Sequence, residues 1–202
     1  MKPKIGILVG STSDLPVLQK GLEFLKSMGV AHAVRVASAH RTPDLVHKLI
    51  REWEAGGAEV FITGAGGAAH LGGAVAARTL KPVIGIPIGS SSLKGLDALL
   101  STVQMPSGVP VATVAIDAGV NACFLACQIL AIKDAKLAKK LADYREKKRQ
   151  EIIAASSERP SLTRLCSSVF TSRSRIFGPN FMVVGKEISS SGVVIAACGR
   201  ER

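Results

Sequence analysis

The sequence predicts an α/β fold: one five-stranded parallel sheet with helices on both faces and an extra C-terminal helix. Three observations carry this. Five short apolar runs alternate with helical patterns, and the runs are hydrophobic almost throughout, as burial on both faces demands. Each run also ends in a small or polar loop that opens the next helix. Residues 4–9 are the first strand, followed by the turn Gly10-Ser11-Thr12-Ser13-Asp14 and a helical pattern through Met28. The cycle repeats with a strand over 33–37 and a helix from about Pro43, then a strand over 60–63 and a helix from about Ala69. Strands over 83–88 and 109–116 follow, with helices from about Lys94 and Val120. A charged helix runs from Lys133 to about Ala155, with Leu137, Leu141 and Tyr144 as a narrow apolar stripe for the body or a neighbouring subunit. Residues 1–155 are thus one α/β domain, and 156–202 are a Ser- and Arg-containing tail, mostly disordered, with short apolar pieces and no assigned function.

Composition narrows the function classes. With 202 residues, 47% of them hydrophobic, and a mean hydropathy of +0.30, the chain is long enough to bury a sizeable core. No apolar run approaches the roughly 20 residues of a bilayer span, and Met1-Lys2-Pro3-Lys4 lead into a strand rather than a secretory core. A membrane protein and a secreted precursor are therefore not expected. Cys123, Cys127, Cys166 and Cys198 form no disulfide framework and no Cys-x-x-Cys pair, which predicts reduced thiols in a cytoplasmic compartment. Cys123 and Cys127, four apart on an apolar helix, read as packing thiols rather than metal ligands. The net charge of +11 raises the question of nucleic acid, but residues 156–202 hold +4 of it and much of the rest lies on one helix. With one Trp and one Tyr there is no aromatic platform for bases, and a solvated helix face is the better reading.

In a parallel sheet of this kind ligands bind beyond the carboxyl ends of the strands, so the loops there are the candidates. In the first, Ser11, Ser13 and Asp14 suit either a phosphate cradle or an ordinary helix cap. In the second, Ser38-Ala39-His40-Arg41-Thr42-Pro43, helix initiation explains Thr42 as cap and Pro43 as first residue. It does not explain His40 and Arg41, which suit proton exchange and an anion clamp, although a solvated His and Arg are the equal alternative. His32 and His47 lie on or beside regular elements without a polar cluster. The third loop, Gly64-Ala65-Gly66-Gly67-Ala68-Ala69-His70-Leu71, lets backbone approach a ligand closely. Its Gly-x-Gly-x-x-Ala pattern is a weak dinucleotide signal, because it falls in the third strand-helix unit with no acid about 20 residues on. The stretch Gly89-Ser90-Ser91-Ser92 permits anion or hydroxyl contacts and is explained as well by capping; Met105 reads as core or interface.

Four ordered motifs, Gly10-Ser11-x-Ser13-Asp14, Ser38 to Pro43, Gly64 to Leu71, and Leu93-x-Gly95-x-Asp97 through Gln104-Met105-Pro106 to Thr113, resemble the class I N5-carboxyaminoimidazole ribonucleotide mutase (PurE) family closely, over about residues 4–150. The resemblance implies a flavodoxin-like three-layer α/β/α sandwich, a cytoplasmic homo-octamer, no metal and no organic cofactor. It implies an isomerase of purine (IMP) biosynthesis that moves a carboxylate from the exocyclic nitrogen of an aminoimidazole ribonucleotide to the adjacent ring carbon. A separate ATP-dependent synthetase would make the substrate, and neither nucleic acid nor membrane is an expected partner. Residue by residue, Ser11, Asp14 and Arg41 fall on the nucleotide-binding positions, with Ser13 and Ser38 beside them, and His40 falls on the general acid/base. Gly66, Gly67, Ala68 and Leu71 belong to the loop expected to close over the imidazole, and His70 either donates to the substrate carboxylate or, the preferred reading, supports the loop.

Departures are Gly72, where the family has Pro, which predicts a looser loop; the 116–121 connection, shorter than in many members; and the tail from Ser156. The rivals are a class II carboxylase using carbon dioxide directly, against which the Gly66–Leu71 loop stands, and a flavin-binding module, against which the scarcity of aromatics stands. A nucleic-acid adaptor acting through the tail is a third, and predicts binding that falls steeply with salt.

Overall fold

Side chains along β1 (Ile5–Val9) alternate between the two faces of a sheet and are buried on both. Ile5, Ile7 and Val9 enter one core with Val60, Ile62, Ile84, Ile86 and Ile88, whereas Leu8 enters the other with Phe61 and Val83. In a computed structural model, which describes residues 2–157, the strands are β1, β2 (His32–Val36), β3 (Val60–Gly66), β4 (Val83–Ile88) and β5 (Ala112–Thr113). All pairs are parallel, in the order β2-β1-β3-β4-β5. The first core is covered by α1 (Leu15–Met28), α5 (Gly119–Ala131) and α6 (Ala135–Ser157). The second is covered by α2 (Pro43–Ala55) and α3 (Leu71–Ala76). On that same face Thr102 of α4 (Leu96–Val103) packs against Gly85 of β4. This is the expected sandwich, consistent with a flavodoxin-like arrangement.

Close approach explains one strand glycine. A Cβ at Gly6 would stand 2.4 Å from Trp53 Cε3 and 2.9 Å from Phe61, so a side chain there would expel the indole that ties α2 to the sheet. The stripe on α6 packs on the body: Leu137 and Leu141 are buried and Tyr144 meets Phe24 edge-on at 5.1 Å. Met105 packs on the α2/α3 core. Cys123 and Cys127 are buried in the other, and burial pushes their thiols up to about 12 and about 11.

Four expected boundaries are corrected. β3 runs to Gly66 rather than Thr63, because Gly64, Ala65 and Gly66 still pair with Ile86, Pro87 and Ile88 of β4. β5 covers two residues rather than 109–116, because the Val109 N–H turns back to Pro106 O and Pro110 has no N–H to donate. Beyond it, Val114 and Asp117 still donate to Gly85 and Pro87, but the chain curls into a turn at Ala115–Ala118. Helix α3 begins at Leu71 rather than Ala69, since the Ala69 and His70 N–H groups bond two residues back, to Gly67 and Ala68. Helix α4 begins at Leu96 rather than Lys94, because Lys94 (φ 50°) and Gly95 (φ 89°) are left-handed. Met1–Lys148 form one compact unit; of the second, Arg149–Arg202, the described residues are the last turns of α6. The expectations for a disordered tail with apolar pieces fall on residues outside the described range. Among the described residues no helix is long and apolar enough to cross a membrane.

Candidate active site

The carboxyl ends of β1, β2, β3 and β4 surround a cavity of about 310 Å³. From the β1 end, Ser11 caps a single 3₁₀ turn, Thr12–Asp14, that leads into α1. The Ser13 N–H donates to Ser11 Oγ at 3.3 Å, and the Asp14 carboxylate accepts the Ser11 N–H at 3.0 Å in return. The Ser13 hydroxyl donates to Ser11 Oγ at 2.9 Å. The helix-cap reading of this loop holds, and the capping residues also form the cavity wall.

Asp14 is 4% exposed, and that burial pushes its carboxyl above the ordinary value of 3.8. The Ser11 N–H, the Ser13 hydroxyl and the Arg41 guanidinium act in the opposite direction and do not cancel it. The native state therefore holds this proton more tightly than the unfolded chain does, so stability falls as pH rises from 3.8 through the raised native value and is flat, from this group, above it. Asp14→Asn removes that fall from a denaturant-unfolding profile measured across acid pH; an unaltered profile would refute the assignment.

From the β2 end, Arg41 Nη2 donates to Gly10 O at 3.1 Å, which lays the guanidinium across to β1. The Arg41 N–H donates to Ser38 Oγ at 3.2 Å, giving the loop a tight internal turn. Thr42 stands at the cap position of α2, but its hydroxyl makes no cap bond; it accepts from Ser38 N–H at 2.9 Å and donates to Ser38 O at 3.1 Å. The expectation that Thr42 caps with its side chain is corrected accordingly: it braces the loop that carries Ser38, His40 and Arg41.

His40 Nε2 and His70 Nδ1 are 2.8 Å apart, with ring planes at 77°. One proton lies between two nitrogens at that distance, so one ring donates and the other accepts. An acid/base candidate, a guanidinium, a buried carboxylate and four serine hydroxyls thus converge on one opening at the strand ends. A larger, more open hollow of about 570 Å³ along α1 is lined by Leu15, Pro16, Leu22 and other residues of mixed character, with no such convergence.

Residues 4–151 match the family model described as AIR carboxylase. The chain belongs to that family. It is 53% identical over 154 residues to the N5-carboxyaminoimidazole ribonucleotide mutase of Methanocaldococcus jannaschii, covering 76% of this chain and 96% of the relative. It is 46% identical over 160 residues to the protein of the same description from Bacillus subtilis, covering 78% and 99%. The crystal structure of Treponema denticola PurE superposes with a TM-score of 0.72 at 34% identity, over 78% of this chain and 99% of that one.

Within this AIR carboxylase-family chain, Ser11, Ser13, Asp14, Ser38, His40, Arg41, Gly66, Ala68 and Leu71 all line the cavity. His70 stands behind it, reaching it through His40. Gly67, also expected there, is not among the lining residues and serves the turn instead, at φ 59°. Gly72 is no loop residue: it is buried in the first turn of α3, where a Cβ would stand 3.2 Å from Thr63 Oγ1 and 3.4 Å from Val111. The departure from the family's Pro thus falls in a tightly packed helix start rather than in the loop itself. Gly10, Ala39, Ala65 and Ser90 line the cavity without having been singled out. The first three flank assigned residues; Ser90 sits in a Ser-rich stretch that capping explained equally well, so no local signal separated it from Ser91.

Proposed function

We infer that this chain is an N5-carboxyaminoimidazole ribonucleotide mutase of purine biosynthesis, with His40 as its general acid/base. The carrying observation is the cavity that opens His40, itself hydrogen-bonded to His70, and the Arg41, Ser11 and Asp14 group to one ligand. An anionic ribonucleotide needs a guanidinium and hydroxyls for its phosphate and a carboxylate acceptor for its ribose diol; Arg41 with Ser11 and Ser13, and Asp14, supply these. The base then lies toward His40 and the Gly66–Leu71 segment.

The bond changes are redox-neutral. The bond between the exocyclic nitrogen and the carboxylate carbon breaks, its electron pair stays on nitrogen, and the nitrogen takes a proton from His40 as carbon dioxide forms. The ring carbon attacks the held carbon dioxide, and His40 recovers a proton from that carbon. The net change moves one carboxylate and returns the proton to the same side chain. His70, hydrogen-bonded to His40, orients that ring and shares its proton. Gly66, Ala68 and Leu71 exclude water from the released carbon dioxide, and Ser38 braces the turn that carries His40 and Arg41.

By this reading the protein acts in the cytoplasm as a homo-octamer, and a separate ATP-dependent synthetase supplies its substrate. The apolar side chains exposed on α4, Leu96, Leu100 and Val103, favour assembly. Supplied with the carboxyamino ribonucleotide, without ATP or bicarbonate, the protein forms the carbon-carboxylated product rapidly. Product formed only from aminoimidazole ribonucleotide with bicarbonate would instead make it a direct carboxylase, and silence from both would overturn the reading.

A further inference from the structure

Ser90 closes the cavity on the β4 side. Its hydroxyl has no hydrogen-bond partner among the described residues, while both neighbours are anchored. The Gly89 N–H donates to Asp117 Oδ1 at 3.0 Å, and the Ser91 hydroxyl donates to Asp97 Oδ1 at 2.9 Å. Asp117 in turn holds a left-handed backbone, φ 56°, that is costly for a residue with a Cβ, and its N–H donates to Pro87 O at 2.9 Å. The opposite wall makes room for the hydroxyl: a Cβ at Gly66 would stand 2.0 Å from Ser90 Oγ. A strained residue thus fixes the backbone beside Ser90, a glycine is kept clear for it, and its own donor is left to the opening.

The sheet order assigns the ligand group it meets. Arg41, Ser11 and Asp14 come from the ends of β2 and β1, while Ser90 comes from the end of β4, beyond β3. A ribonucleotide held by its phosphate and ribose over β1 and β2 presents its opposite end, the carboxylated base, to Ser90. Resting on the mutase reading, we propose that Ser90 is a substrate-binding residue whose hydroxyl donates to the carboxylate borne by the base. Asp117 is a positioning residue acting through the Gly89 N–H.

The test is Ser90→Ala in the full chain, with two binding probes: the carbon-carboxylated ribonucleotide, and ribose 5-phosphate, which lacks the base. Ser90 is exposed and donates to no group among the described residues, so the variant folds. Losing one hydrogen bond to a charged group weakens binding of the carboxylated ribonucleotide about tenfold to a hundredfold, with ribose 5-phosphate affinity unchanged. Unchanged affinity for the carboxylated ribonucleotide, or equal weakening of both probes, overturns the assignment. Asp117→Ala weakens the same probe and adds nothing in the Ser90→Ala background; an additive loss overturns the positioning role. Because these readouts are equilibrium affinities, a wild-type protein that binds the carboxylated ribonucleotide without turning it over refutes the mutase reading alone. A competent mutase indifferent to Ser90→Ala refutes only this proposal.

Discussion

His40→Asn lowers mutase turnover about a hundredfold to ten-thousandfold, the range that a positioned acid/base contributes. Affinity for ribose 5-phosphate and the unfolding midpoint stay near those of the unmodified protein. The expectation follows from what the substitution removes and what it keeps. Asn keeps a polar side chain of similar width but ends level with the ring's Nδ1, so it gives up the His70 contact made through Nε2; His40 is exposed, so neither core contributes to the change. What disappears is the ring that, in the proposed mechanism, gives a proton to the departing nitrogen and takes one from the ring carbon. Steady-state turnover beside a thermal melt checks it; a folded variant with near-normal turnover removes His40 from the mechanism.

Arg41→Ala acts on binding rather than on bond-making. The guanidinium is the one permanently cationic side chain among the lining residues, and among the described residues its hydrogen bond goes to Gly10 O, leaving other N–H groups for an anion. Its removal raises KM about tenfold to a hundredfold, the cost of a charge-assisted contact, with kcat reduced far less. Arg41→Lys recovers part of the loss, since a point charge replaces a planar fork. Ribose 5-phosphate titrated into each variant separates the two effects. An Arg41→Ala protein that binds this probe unchanged places the phosphate elsewhere.

Much of the fold was legible because strands buried on both faces announce themselves as continuous apolar runs, and helices of amphipathic character by their period. β1, α1 and β4 fall where residues 4–28 and 83–88 place them, and α2 starts at Pro43 as its sequence indicates. The errors cluster where a segment's own composition is silent about its partners. Val109 and Val111 have the composition of strand residues, but a turn at Pro106–Val109 and the missing N–H of Pro110 leave two residues to pair at the sheet edge. The starts of α3 and α4 shift because backbone turns at Gly67–His70 and left-handed residues at 94–95 take up the first positions.

The chemistry of the site was written locally: a His-Arg pair after one strand, a hydroxyl and carboxylate turn after another, a small-residue loop after a third. These are properties of short segments, and composition and spacing suffice to find them. That His40 meets His70 thirty residues away, that Gly72 is buried beneath Val111, and that Ser90 faces the opening across Gly66 are properties of no segment. They follow from β1 and β3 lying side by side between β2 and β4, an order chosen by the burial of both sheet faces and by the helices that cover them. Such choices are made between elements, by packing and by which backbone groups remain to be paired.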